Sequence, residues 1–203
     1  NCTVMVELTD YLGRRSEQRI NLETMRNYRA PLELTIQDIG TEDVEYYPDE
    51  LGEIDVDRQI PLGRKNPNGI AIIIGTQDYD DINNYPSLSY ASRDRDVMRN
   101  YFSKSFGLSD FQMLPSKPWQ MEGGPSGQEY RMIFDPYQGD LRKRVISAEK
   151  YSDMEDINIY VYYRGYGEWV NGKPLLVPKD AKFDRHITKY PLEELVNNLS
   201  MLS

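Results

Sequence analysis

The stretch Val161–Asp180, VYYRGYGEWVNGKPLLVPKD, decides how this chain folds. It reads as the end of a buried strand, a turn in which Gly165 and Gly167 bracket Tyr166, a short loop, and a second strand that ends at Pro178-Lys-Asp180. Upstream, Ile157–Tyr163 is a short apolar run rich in β-branched and aromatic residues, the composition of a strand buried on both faces. A second such run is Ile70–Gly75, IAIIIG. Between and after them, Ser92–Ser103, Asp140–Glu149 and Pro191–Leu202 place apolar residues at helical spacing, with Ser92 or Asp94 as the expected cap of the first. Phe111–Leu114 reads as a brief strand, and Pro115–Gly139 as a long Gly-, Pro- and aromatic-rich excursion that carries Trp119, Tyr130 and Tyr137. From residue 70 onward the order is strand, helix, strand, helix, strand, strand, helix. Alternation of that kind predicts an α/β fold with a mostly parallel sheet flanked by helices.

Several pieces of the sequence resemble the caspase-like (peptidase C14, metacaspase-type) domain in its bacterial form. Asp55, Asp57 and Pro61 precede Asn66-Pro67-Asn-Gly-Ile-Ala-Ile-Ile-Ile-Gly75 and Tyr79, and Tyr90-Ala91-Ser-Arg-Asp94-Arg95-Asp-Val-Met98 opens the first helix. The strand that runs into Gly165-Tyr166-Gly167, with Leu176-Val-Pro178-Lys-Asp180 beyond it, matches the histidine segment of that family in layout. The resemblance covers about residues 54–203 and implies the three-layer caspase-like fold. It also implies cysteine-peptidase chemistry, in which a histidine helps remove the thiol proton and backbone N–H groups hold the oxyanion. Here the histidine position is Tyr166, and the serine that usually precedes the Gly-His-Gly is Arg164. A phenol, with a reference pKa of about 10, is a poor base for a thiol near neutral pH. The family's nucleophile lies about 50 residues after its histidine, which counted from Tyr166 falls just past Ser203.

The expected domain layout is a β-rich N-terminal segment and linker over residues 1–53, followed by the caspase-like part, incomplete at its C-terminus, over residues 54–203. In the first part Thr3–Leu8 and Leu32–Ile39 alternate as half-buried strands do, Arg14–Arg29 has no clear period, and residues 46–69 have linker composition with a short extended piece at Ile54–Ile60. Asn1 in first place reads as a processed product or a fragment.

Net charge is −9, which argues against nucleic acid as a partner, and no apolar run is long enough to span a membrane. The single cysteine, Cys2, and single histidine, His186, cannot build a Cys/His zinc site. Cys2 reads as an ordinary small residue near a terminus, and His186 as a solvated side chain. No cofactor is expected; the acidic loop of Asp78, Asp80 and Asp81 is the one place where calcium enters the reading, although its spacing is not that of an EF-hand. That loop, with Asp94, Arg164 and the loop aromatic Trp169, makes up the candidate surface for a substrate or partner.

The functional expectation is a degenerate, non-catalytic caspase-like pseudopeptidase with a binding, scaffolding or assembly role and a protein or peptide partner. The alternative is a cysteine endopeptidase whose nucleophile lies in a continuation or a second chain. A nucleotide-binding α/β module is disfavoured, because neither G-x-x-x-x-G-K-[ST] nor G-x-G-x-x-G follows Gly75. If the nucleophile strand belongs beside Ile157–Tyr163, that strand is expected to carry a bare edge, completed by a second polypeptide or a continuation.

Overall fold

The computed structural model describes residues 2–9, 15–22, 60–117, 121, 123–151 and 157–202. Leu32–Ile39, all of the expected extended piece Ile54–Ile60 except Ile60, with its acidic residues Asp55 and Asp57, and Trp119 lie outside these residues.

The main sheet has five strands: β1 (Cys2–Thr9), β2 (Arg15–Leu22), β3 (Gly69–Gly75), β4 (Met113–Leu114) and β5 (Asn158–Arg164). Their order across the sheet is β2-β1-β5-β3-β4. β1, β5, β3 and β4 run parallel, and β2 is an antiparallel edge strand joined to β1. The chain is thus mixed α/β with a mostly parallel sheet. Its centre is the β3–β5 ladder, which pairs residue by residue from Gly69 opposite Asn158 to Gly75 opposite Arg164.

Strand alternation sends the two central strands into two cores. Ile70, Ile72, Ile74, Ile159, Val161 and Tyr163 face one side. There they meet α2 (Gly127–Phe134), α3 (Asp140–Tyr151) and α4 (Leu192–Ser200) through Tyr130, Phe134, Leu141, Leu195 and Leu199, among others. Ala71, Ile73 and Tyr162 face the other side, where Phe102 and Met98 of α1 (Ala91–Lys104) cover them. Helices therefore lie on both faces, which is why the central strands read as unbroken apolar runs.

A second, three-stranded antiparallel sheet follows β5. It contains β6 (Gly167–Val170), β7 (Lys173–Leu176) and β8 (Tyr190–Pro191), in that order. The β6–β7 turn is Asn171-Gly172, both with positive φ (51° and 78°), the geometry that asparagine-glycine favours in a two-residue hairpin.

Four details differ from the sequence reading. β2 forms in the polar stretch without clear period, because an edge strand needs only one paired side and tolerates charge. α2 forms inside the supposed loop excursion. Its start is a capping box in which Ser126 Oγ accepts from the Glu129 N–H at 3.3 Å and the Ser126 N–H donates to Glu129 Oε2 at 2.7 Å. Residues 110–112 are a 3₁₀ turn, which leaves only Met113–Leu114 as strand. α1 starts without a cap from Ser92 or Asp94: Tyr90 takes the cap position at φ 73° with no side-chain cap, and Gln77 Oε1 accepts from the Ser92 N–H at 3.4 Å.

The expected bare edge at Ile157–Tyr163 is overturned. β5 lies between β3 and β1, with Thr3 opposite Tyr160 and Val4 opposite Val161. The N-terminal hairpin pairs with β5 on that side through these residues, so the strand is flanked on both sides and is not a bare edge.

Gly75 is the last β3 residue, and a Cβ built there would lie 2.6 Å from the Ala91 carbonyl oxygen and 2.8 Å from Arg95 Cβ. Gly75→Ala should therefore push α1 off the sheet and lower stability by about 1–3 kcal/mol, measured by urea unfolding monitored by circular dichroism. Deleting residues 2–22 should uncover β5 and produce soluble aggregates in sedimentation velocity, where the full chain gives a single species.

Candidate functional site

The chain leaves β3 at Gly75 and passes to α1 and β4 on one side of β3, then returns to β5 on the other. In open α/β sheets this reversal makes the carboxyl ends of the two adjacent strands the usual crevice for a ligand. Here those ends carry Thr76–Tyr79 and Arg164–Tyr166.

The crevice is filled by protein. The Thr76 N–H donates to the Arg164 carbonyl at 2.8 Å, which carries the ladder one step past the strands. The Gln77 and Asp78 N–H groups both donate to the Gly123 carbonyl, at 2.7 and 2.9 Å, so the Gly123-Gly124 turn closes over the end of β3. Gly124 has φ 129°, and a Cβ there would lie 2.7 Å from Thr76 Cα; only glycine permits this approach.

Tyr166 is buried, 8% exposed. Its ring packs against those of Tyr79 and Tyr85 with centroids 5.2 and 5.7 Å away, and Tyr79 and Tyr85 close the triangle at 5.7 Å. Its backbone is held on both sides. The Tyr166 N–H donates to Tyr79 Oη at 3.0 Å, while its carbonyl accepts from Tyr163 Oη at 2.7 Å and from the Val177 N–H at 3.0 Å. The same hydroxyls explain Gly165, whose built Cβ would lie 2.5 Å from Tyr163 Oη and 3.0 Å from Tyr79 Oη. Burial raises the pKa of Tyr79, Tyr163 and Tyr166 above the usual phenol value, and none of them is tuned toward a base acting near neutral pH.

The other sequence-selected residues have structural partners. Arg164 Nε donates to Asp94 Oδ2 at 3.1 Å, an ion pair that ties the first turn of α1 to the end of β5. Asp78 Oδ1 accepts from Ser87 Oγ at 2.7 Å. Asp81 accepts from Asn84 Nδ2 at 3.0 Å and from the Phe183 N–H at 3.1 Å, and these donors hold its carboxyl below the ordinary carboxylate pKa. Asp80 is exposed, and its N–H donates to the Lys179 carbonyl at 2.9 Å. The carboxylates of Asp78 and Asp81 thus turn to separate partners, and among the described residues no three His, Cys, Asp or Glu side chains converge as a metal site requires. Asp180, the end of the Leu-x-Pro-x-Asp stretch, accepts from the Gly127 N–H at 2.7 Å and so tethers the start of α2. Trp169 stands 56% exposed on β6. Tyr130, read as a loop aromatic, is instead fully buried in α2, whereas Tyr137 is exposed. Cys2 opens β1, level with the amino half of β5 and at the opposite end of the strand from Tyr166.

Sequence reasoning missed the charged group behind the tyrosines. Lys189 has a fully buried side chain, and its Nζ donates to Glu168 Oε2 at 2.5 Å and to the Phe183 carbonyl at 2.8 Å. Glu168 also accepts from Tyr85 Oη. Burial first, and then the neighbouring Glu168 carboxylate, push the Tyr85 phenol far upward. A lysine and a glutamate separated by 21 residues carry no local signal of pairing. Only the folding of β8 beside β7 and of β7 beside β6 brings them together.

Three outcomes follow from this geometry. Glu168→Gln leaves the Lys189 ammonium buried without a counter-ion and should lower stability by about 3 kcal/mol in chemical denaturation. Tyr166→Phe keeps the ring and the backbone bonds and should change stability by less than about 1 kcal/mol, whereas Tyr166→Ala should lose about 3 kcal/mol or more. Because the native state retains the protons of its buried phenols while the unfolded chain releases them above about pH 10, stability should be intact below that pH and fall as pH rises further. An alkaline titration should then show a fraction of the phenolate absorbance appearing only in step with loss of circular dichroism.

Comparison with protein families, with characterised proteins and with solved structures finds no match to this chain.

Proposed function

We propose that this chain is a degenerate caspase-like domain, a pseudopeptidase that acts by binding or assembling other proteins. The observation that carries this reading is the state of Tyr166. It takes the place that the family resemblance gives to the histidine, it is enclosed by Tyr79 and Tyr85, and its backbone N–H and carbonyl are both occupied. A proton-transfer role needs an accessible group of suitable pKa within reach of a nucleophile. Tyr166 offers neither the access nor the pKa.

The neighbourhood of β5 supports the same reading. A caspase-like enzyme carries its nucleophile on a strand beside the histidine strand. In this chain β1 pairs parallel to β5 on that side, and the only cysteine lies at the amino end of β1. An endopeptidase completed by another strand beside β5 would first have to displace the β1–β2 hairpin. Trp169, 56% exposed on the edge strand of the small sheet, is an aromatic group through which a protein partner could bind.

The purified chain should not cleave peptide libraries carrying Asp, Arg or Lys before the scissile bond, with or without calcium. The variant Tyr166→His should be equally inactive, since it supplies the base without a thiol beside it. Turnover by either protein that is abolished by a thiol alkylator would sink the proposal. In pull-down or crosslinking experiments on an identified partner, Trp169→Ala should weaken association while leaving the unfolding midpoint unchanged.

A further inference from the structure

Lys189 is unusual in how completely its ammonium is recognised. One carboxylate oxygen of Glu168 and the Phe183 carbonyl accept its protons at 2.5 and 2.8 Å. The rings of Phe183 and Tyr85 present their faces to Nζ at 5.5 and 5.9 Å, within the range of a cation–π attraction. Carboxylate, carbonyl and aromatic faces around one nitrogen are the groups by which proteins bind a free ammonium ligand. The wall is built from elements distant in sequence: Tyr85 from the loop after β3, Glu168 from β6 and Phe183 from the loop before β8. The occupant enters from the residue just before β8, a two-residue edge strand. Phe183 itself is 53% exposed, while the Lys189 side chain it covers is fully buried.

We propose that this pocket is a recognition site for a primary ammonium group, such as a lysine side chain, which the chain occupies in cis with Lys189. Occupation holds the loop Ala181–Thr188 against the tyrosine cluster. Two of the ammonium protons are directed at oxygen acceptors, so a primary ammonium fits and a quaternary one, which has no N–H to donate, does not. The site does not depend on the pseudopeptidase reading. It would stand if the chain proved to be an enzyme, and its failure would leave that reading untouched.

The test empties the pocket in the full-length chain by Lys189→Ala and offers n-butylammonium, with tetramethylammonium and sodium at equal ionic strength as controls. Saturable thermal stabilisation of the variant by n-butylammonium is expected, at least tenfold stronger in midpoint concentration than any response to tetramethylammonium. The unsubstituted protein should show no such response, and neither should the double variant Lys189→Ala/Glu168→Gln. An equal response to both organic cations, the same response in the unsubstituted protein, or no response beyond sodium would overturn the proposal. If Lys189→Ala fails to fold alone, it is refolded in the presence of each cation. Recovery of native circular dichroism with n-butylammonium only supports the site, and recovery with both or with neither overturns it.

Discussion

The pairing of β3 with β5 is the constraint on which the rest of the molecule depends. Seven consecutive residues of β3 find parallel partners on β5, and both strands are covered on both faces. A parallel ladder cannot close through a hairpin, so the intervening chain must pack as helices against the sheet. Alternation along the two strands then determines which helices lie where: Ile70, Ile72 and Ile74 call for the three-helix side, and Ala71 and Ile73 for α1. The small Ala71 and the absence of a side chain at Gly75 let α1 approach the sheet closely.

The same ladder delivers Thr76 and Arg164 side by side at the carboxyl end, where a binding crevice would open in many sheets of this kind. This protein closes that crevice with tyrosines. Tyr163 and Tyr79 use their hydroxyls to hold the backbone of residue 166, and the ring of Tyr166 completes an aromatic triangle whose other two members come from the loop after β3. The hydrogen bonds run to backbone atoms, so the turn geometry is maintained whatever the side chain at position 166 does chemically. The glycine-bracketed turn is thereby a packed joint between the main sheet and the small one.

Beyond that joint, the small sheet conceals an ion pair. Removing Lys189 and Glu168 from water is unfavourable, and it is offset only because the carboxylate also accepts from Tyr85 and the ammonium also donates to a backbone carbonyl. Both groups are satisfied, and the loop carrying Phe183 is held in register with β6 as a result. The exposed aromatic and aliphatic side chains of this end, Phe183, Ile187 and Trp169, stand around this buried pair, while Leu176 and Tyr190 of the small sheet join the main apolar core.

What the sequence by itself determined was whatever depends on local period. Ile70–Gly75 and Ile157–Tyr163 are legible as buried strands because short runs rich in β-branched and aromatic residues, bounded by glycine or polar residues, have few other uses. The helices at 91–104, 140–151 and 192–200 show their apolar spacing openly. The helix at 127–134 was also written there, in the Ser126-x-x-Glu129 capping box, but the surrounding glycines and prolines masked it. The glycine-bracketed turn around Tyr166 was visible as well. Tertiary structure alone decided the rest: that β1 flanks β5, that Tyr79 and Tyr85 enclose Tyr166, that Arg164 pairs with Asp94 seventy residues away, and that Lys189 reaches Glu168. Each is a contact between segments whose own patterns are satisfied equally well without it. Which segments meet is set by the packing of whole elements, and no residue pattern along the chain encodes that.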